Sequence, residues 1–267
     1  MTDVRPAVVP RVGLIVIATG RYSSFLPALM QTARRHVTGL HRVYVLADAR
    51  PPCDALITWL PWGHLGWPYP TLLRYRAISA YADVLRNSNV LVYVDVDMRF
   101  VGEFDVTGVS GVFAVRHPGY VDTRPEDLPY ERNPESRSCV SPAVGTRYFA
   151  GGVQGGTAPD YLAAAEEMSR MVQLDLDNRL VPVWHDESVW NARCVEKPPD
   201  VELPASYCTP EGHEDASTVL VALDKDHDHL RDVPRRERLR RRATQARRRL
   251  RSLVLSPLSR IWKAMRR

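Results

Sequence analysis

Apolar runs of five or six residues recur along the chain, each closed by a polar or glycine-containing turn. Val12–Ile17, Arg42–Ala47 and Val90–Val94 are β-branched and almost uninterrupted, the pattern of strands covered on both faces. Between the first two, residues 23–36 have helical character, with Ser23 or Ser24 suited to the N-cap. A strand-helix-strand opening predicts a parallel, right-handed crossover. A loop rich in Pro, Gly and aromatics is expected over 59–70, then a helix over 71–86 that carries Arg74 and Arg76. Further strands are expected at 111–116 and 218–223, and further helices at 159–174 and from Val183–Ser188 to about Val195. Residues 122–141 are polar and proline-rich, which predicts an ordered surface loop. The glycine-dense stretch 147–156 fits either a bulged strand edge or a place where something approaches the backbone closely.

Composition narrows the class. With 267 residues, 45% of them hydrophobic, the chain can form one large α/β domain or two small ones. Its four cysteines contain no CxxC pair, which argues against a zinc site or a disulfide framework. No stretch reaches the roughly eighteen apolar residues of a spanning helix. Charge divides the molecule. Residues 234–267 hold thirteen arginines and Lys263 against Glu237, a net +13, which leaves −8 on the other 233 residues of a chain whose total is +5. The expected organisation is therefore one folded domain over 1–232 and a basic helical tail over 233–267. In the tail, Leu250, Leu253, Val254, Leu258, Ile261, Trp262 and Met265 recur at roughly helical spacing. That pattern suits a helix lying on an anionic membrane surface, in preference to a solvated tail or a nucleic-acid-binding arm.

Candidate chemistry starts where Val90–Val94 runs into Asp95 and Asp97. Two carboxylates at a strand end can hold a hard divalent cation. Taken alone, that pattern is more often a solvated turn. The later segment Trp184-His185-Asp186-Glu187 sets an aromatic ring, an imidazole and two carboxylates in four residues. An aromatic ring beside carboxylates suits a sugar, which has one apolar face and polar rims. Three classes are compatible: a sugar transferase, a nucleotide-sugar or glycan-binding module without turnover, and a nucleotidyltransferase, which would release pyrophosphate.

The order Ala18…Tyr22, Asp95-Val-Asp-Met98, His117-Pro-Gly119, Tyr130-Glu-Arg132, Gly155-Gly156, Trp184-His-Asp-Glu-Ser188, Lys197-Pro198 and Lys225-x-His227 resembles glycosyltransferase family 6. That family contains the histo-blood-group A and B transferases and the α-1,3-galactosyltransferase. The resemblance covers roughly residues 12–231, and a bacterial-type member is expected. It implies a GT-A fold, a Rossmann-like mixed sheet flanked by helices. It also implies retaining transfer of Gal or GalNAc from UDP-Gal or UDP-GalNAc, in α-1,3 linkage, to an oligosaccharide or lipid-linked glycan. By motif matching, Asp95 and Asp97 would hold Mn²⁺. Ala18, Tyr22 and Arg74 would grip the nucleotide and donor, and Lys225 and Arg231 would close over the phosphates. Asp186 would hold the donor sugar, Glu187 would act at its anomeric centre, and His117 and Trp184 would meet the acceptor. Ala150 and Gly152 fall on the donor-discriminating positions, and both are small. Val153-Gln154 replaces an aromatic pair of the family. The membrane anchor of the mammalian enzymes has no counterpart here, so a cytoplasmic enzyme, peripheral at the inner membrane face, is expected.

Overall fold

The β-branched runs lie side by side in one sheet. In this computed structural model, which describes residues 9–231, the elements follow in order. They are β1 (Val12–Ile17), α1 (Leu26–His36), β2 (Leu40–Ala47), β3 (Ile57–Pro61), three short helices α2 (Tyr69–Leu72), α3 (Arg74–Ala80) and α4 (Ala82–Leu85), β4 (Val90–Val94), β5 (Met98–Phe100), β6 (Val112–Arg116), β7 (Phe149–Thr157), α5 (Ala158–Asp177), α6 (Asp186–Glu196), β8 (Val201–Leu203), β9 (Thr209–Pro210) and β10 (Leu220–Ala222). Seven strands form the main sheet in the order β3-β2-β1-β4-β7-β6-β8, and β5, β10 and β9 form a small second sheet.

Alternate residues of the strands feed two cores, as strand geometry requires. Val12, Leu14 and Val16, with Val90, Val92 and Val94, pack against Leu26, Leu29, Met30 and Ala33 of α1. Ile15, Ile17, Leu91 and Tyr93 point the other way, onto Tyr75 and Ile78 of α3, Tyr161 and Met168 of α5, and Trp190 of α6. The predicted α/β class and the mixed, helix-flanked sheet hold.

Topology places the site. β1, β2 and β3 are parallel neighbours, and β4 lies parallel on the opposite side of β1. The chain therefore reverses direction across the sheet between β1 and β4, where open α/β sheets leave a crevice at the strand carboxyl ends. β7 runs antiparallel to β4, with Val94 opposite Val153. The start of β7 is thus brought beside the end of β4.

Four details differ from the sequence expectation. The loop assigned from 59 begins only after β3, whose pairing with β2 extends to Pro61. The helix expected over 71–86 is broken at Leu73 (φ −95°, ψ 13°) and Tyr81 (φ −116°, ψ 20°). β5 and β8 are three-residue strands, too short to show a period. The glycine-rich stretch is a central strand rather than an edge, because β7 pairs with both β4 and β6. A Cβ at Gly155 would stand 2.2 Å from the Leu91 carbonyl oxygen, and one at Gly156 2.3 Å from that of Gly111.

The chain divides into two units, one ending at Asp224 and one beginning at Lys225. The described part of the second holds a short helix, α7 (His227–Leu230), capped by Asp226, whose Oδ1 accepts the His229 amide at 3.1 Å. The expected basic tail over 233–267 lies outside the described residues. Among the described residues no helix is long and apolar enough to cross a membrane.

Candidate active site

The turn Asp95–Asp97 is where the chain leaves the large sheet for the small one. The Asp95 amide still pairs with the Gly152 carbonyl at 2.9 Å, and the Asp97 carbonyl accepts the Leu223 amide at 3.0 Å. Both ends of the turn are thus fixed by backbone, which orients the two carboxylates. Asp95 Oδ1 accepts the Tyr93 hydroxyl at 2.7 Å and Arg74 Nη2 at 3.2 Å. Gly152 lies beneath the other oxygen: a Cβ there would come within 2.9 Å of Asp95 Oδ2 and 2.7 Å of Met98 Cε. Asp97 is buried.

Arg74 is the hub. It is 2% exposed, and its guanidinium carbon lies 4.1 Å from the Tyr93 ring centroid. Nη2 reaches Asp186 Oδ2 at 3.1 Å as well as Asp95, and Nη1 donates to the Gly151 carbonyl at 2.5 Å. One buried cation therefore ties the end of β4, the start of β7 and the start of α6. Desolvation opposes its charge, but the Asp186 carboxylate, with Tyr93 and Asp95, outweighs it and raises the Arg74 pKa. The same Gly151 carbonyl accepts Gln154 Nε2 at 2.9 Å. Gln154 is itself buried and supports that peptide.

Asp186 and Glu187 occupy the first turn of α6, where the helix dipole favours negative charge. The Gly151 amide donates to Glu187 Oε2 at 2.8 Å. Burial pushes Glu187 up to about 7, with the Asp186 charge adding and the Gly151 amide opposing. Burial likewise pushes Asp186 up to about 6, against the attraction of Arg74. The helix is pinned to β7 by Asn191, whose Oδ1 accepts the Phe149 amide and whose Nδ2 donates to the Phe149 carbonyl, both at 2.8 Å.

On the far side stands an aromatic wall. Tyr148 packs against His117, Tyr120 and Tyr130 with ring centroids 5.2–5.9 Å apart. Burial and the facing Glu187 charge raise the Tyr148 pKa. His117 Nδ1 accepts the Gly119 amide at 3.1 Å, which leaves the proton of the neutral ring on Nε2. Burial lowers the His117 pKa and so favours that neutral form. Trp184 is 48% exposed.

The structure thus brings together Arg74, Asp95, Gly152, Asp186 and Glu187, with Asp97 in the same turn as Asp95 and His117 across Tyr148. Ala18 is buried at the end of β1, and Tyr22 is half-buried on the α1-side core. Ala150 is buried in that same core. Lys225 and Arg231 belong to the second unit. Sequence reading passed over Tyr93, Tyr148 and Asn191, and gave Gly151 and Gln154 no part in holding the acidic groups. Asn191 has its β7 partner, Phe149, 42 residues away, so nothing local marks that contact.

As a cation site, Asp95 and Asp97 supply hard oxygen donors of the right kind. Among the described residues no group of three or more His, Cys, Asp or Glu could hold a metal. A two-carboxylate set fits an ion that completes its shell with phosphate oxygens and water.

The chain's similarities agree with this geometry. The model of Glycosyltransferase family 6 matches residues 7–232. Histo-blood group ABO system transferase 1 of Rattus norvegicus is 29% identical over 239 residues, covering 83% of this chain and 68% of that protein. Globoside alpha-1,3-N-acetylgalactosaminyltransferase 1 of Homo sapiens is 25% identical over 236 residues, covering 82% and 68%. The O-antigen biosynthesis glycosyltransferase WbnI of Escherichia coli is 25% identical over 165 residues, covering 61% and 70%. A seven-stranded mixed sheet, an acidic turn at its switch point and a match over almost all of the described residues lead to one conclusion: this chain belongs to glycosyltransferase family 6 and is a hexosyltransferase.

Proposed function

We propose that this enzyme transfers galactose or N-acetylgalactosamine from its UDP-sugar to a glycan hydroxyl, in α-1,3 linkage and with retention of anomeric configuration. The observation that carries the reading is the pairing of Arg74 with both Asp95 and Asp186. It joins an acidic turn suited to a cation and diphosphate with a carboxylate pair suited to a sugar. The human globoside relative is by name an alpha-1,3-N-acetylgalactosaminyltransferase, which supports the linkage.

In this reading Asp95 and Asp97 hold a divalent cation, Mn²⁺ by expectation. When bound, the cation would neutralise charge on the diphosphate and act as a Lewis acid toward the leaving group. Ala18 and Tyr22 border the nucleotide. Lys225 and Arg231, assigned from the family motif alone, add positive charge at the phosphates. Asp186, fixed by Arg74, accepts hydrogen bonds from sugar hydroxyls. Breaking the bond to UDP leaves positive charge at the anomeric carbon, and ionised Glu187 stabilises it from the opposite face. The Gly151 amide holds that carboxylate in place. The exposed Trp184 ring offers an apolar platform for the acceptor, and His117 Nε2–H a donor. The space a Cβ would take at Gly152 is filled by Met98 Cε and Asp95 Oδ2, at 2.7 and 2.9 Å, so this glycine admits the carboxylate rather than a 2-acetamido group, and the donor assay decides between UDP-Gal and UDP-GalNAc.

A lipid-linked acceptor at an anionic membrane would suit the basic segment 234–267. Flotation with anionic liposomes, full chain against a 1–233 truncation, tests that; equal behaviour would refute it. The main reading is tested by incubating the enzyme with UDP-Gal, UDP-GalNAc and UDP-Glc, with Mn²⁺ or a chelator. Metal-dependent release of UDP from one of the first two is expected. Cleavage at the α-phosphate, read as release of hexose 1-phosphate in place of UDP, or no reaction with any donor, would overturn it.

A further inference from the structure

Glu131 lies outside the site, in the polar stretch before β7, and its side chain is buried. Oε1 accepts the Asn133 amide at 2.8 Å, and Oε2 accepts the Val183 amide at 2.7 Å. Val183 opens the segment that leads through Trp184 to Glu187. In that segment His185 has φ 53° and ψ −121°, the first central position of a type II′ turn, which glycine adopts freely and other residues do not. Such a conformation persists only where its surroundings hold it. Local ties do part of this: the Trp184 amide donates to Ser188 Oγ at 3.0 Å, that of His185 to the Pro182 carbonyl at 2.9 Å, and that of Glu187 to the Trp184 carbonyl at 3.1 Å. The bond to Glu131 comes from 52 residues away and anchors the whole turn to a separate segment.

We infer that Glu131 is a positioning residue for the transfer reaction. By holding the Val183 amide it keeps the strained turn in the conformation that delivers Glu187 to the Gly151 amide. The inference rests on the assignment of Glu187 made above. Asp175 provides an internal comparison. It is fully buried in α5 and anchors the same polar stretch elsewhere, accepting Ser136 Oγ at 2.7 Å and the Arg137 amide at 2.6 Å. Both acids stitch the loop, but Glu131 is the one bonded to the turn.

The test uses the full chain, Mn²⁺ and whichever of UDP-Gal or UDP-GalNAc is turned over, with melting temperature measured in parallel. Glu131→Gln removes one acceptor and is expected to lower kcat by about tenfold or more, with donor KM changed by no more than about twofold. Asp175→Asn is expected to lower melting temperature while leaving kcat within about twofold. In a His185→Gly background, where glycine holds the turn unaided, Glu131→Gln should lose most of its effect on kcat. Should Glu131→Gln fail to fold alone, a folded double variant supports the brace and an unfolded one overturns it. Parallel behaviour of Glu131→Gln and Asp175→Asn, or an equal loss with glycine at 185, overturns it too. Glu187→Gln separates the two claims. If it is inactive while Glu131→Gln is not impaired, the brace alone fails; if it keeps wild-type turnover, the assignment of Glu187 fails and the brace with it.

Discussion

Glu187 reaches across from α6 to the first residues of β7, where its Oε2 accepts the Gly151 amide at 2.8 Å. The contact depends on the absence of a side chain at Gly151. A Cβ there would stand 3.1 Å from Glu187 Cβ, 3.2 Å from Asp186 Oδ2 and 3.3 Å from Glu187 Oε2. Gly151→Ala should therefore push the carboxylate pair aside by a few tenths of an ångström and lower kcat by about tenfold to a hundredfold. Turnover and melting temperature measured together check this, because the fold should survive the change.

Arg74 compensates two carboxylates at once, Asp95 and Asp186, while 2% exposed. Arg74→Met leaves both acids without their cation and should cost about 3–5 kcal/mol of stability, besides abolishing activity. Arg74→Lys should not restore activity, because a single ammonium cannot span Asp95, Asp186 and the Gly151 carbonyl. Denaturant unfolding of both variants gives the comparison.

Much of this arrangement was legible in the sequence, and the missing parts have physical causes. β4 declares itself because both its faces are covered, and Asp95 and Asp97 follow directly from it. The acidic start of α6 is equally visible. Arg74 could be named, but its burial could not, since a surface arginine and a buried hub look alike without their partners. The glycine-dense stretch 147–156 left a bulged edge and a close approach both open; that Gly155 and Gly156 are approached by neighbouring strands in mid-sheet depended on pairing with residues more than forty positions away. Asn191, 42 residues from Phe149, carries no local signal, and the motif Tyr130-Glu-Arg132 shows nothing of the bond from Glu131 to Val183, 52 positions on. Their meaning lies in backbone groups, which sequence patterns do not reveal.

Titration follows from the raised acids. Glu187 is pushed up from 4.5 to about 7 by burial, among Asp186, Arg74, Tyr148 and the Gly151 amide. A carboxyl group that holds its proton more tightly folded than unfolded stabilises the fold at low pH. That contribution fades as pH rises from the unfolded value through the folded one. Wild-type protein without ligand should thus lose melting temperature between about pH 4.5 and 7 relative to Glu187→Gln. Turnover, which needs the ionised form, should rise through the same upper value. A wild-type stability profile parallel to that of Glu187→Gln would contradict this.

Gly152 touches the cation side of the site. A Cβ at that position would meet Asp95 Oδ2 at 2.9 Å and displace the carboxylate. Gly152→Ala should raise the Mn²⁺ concentration for half-maximal activity by about tenfold, read from a metal titration of UDP release.

The central claim is that Glu187 acts on the sugar while Asp95 and Asp97 serve the diphosphate. Its most direct test is UDP release by Glu187→Gln in saturating Mn²⁺ and donor, with UDP affinity measured by calorimetry on the same preparation. The prediction is a fall in turnover of about a hundredfold or more with UDP affinity preserved. Turnover at the wild-type rate would contradict it.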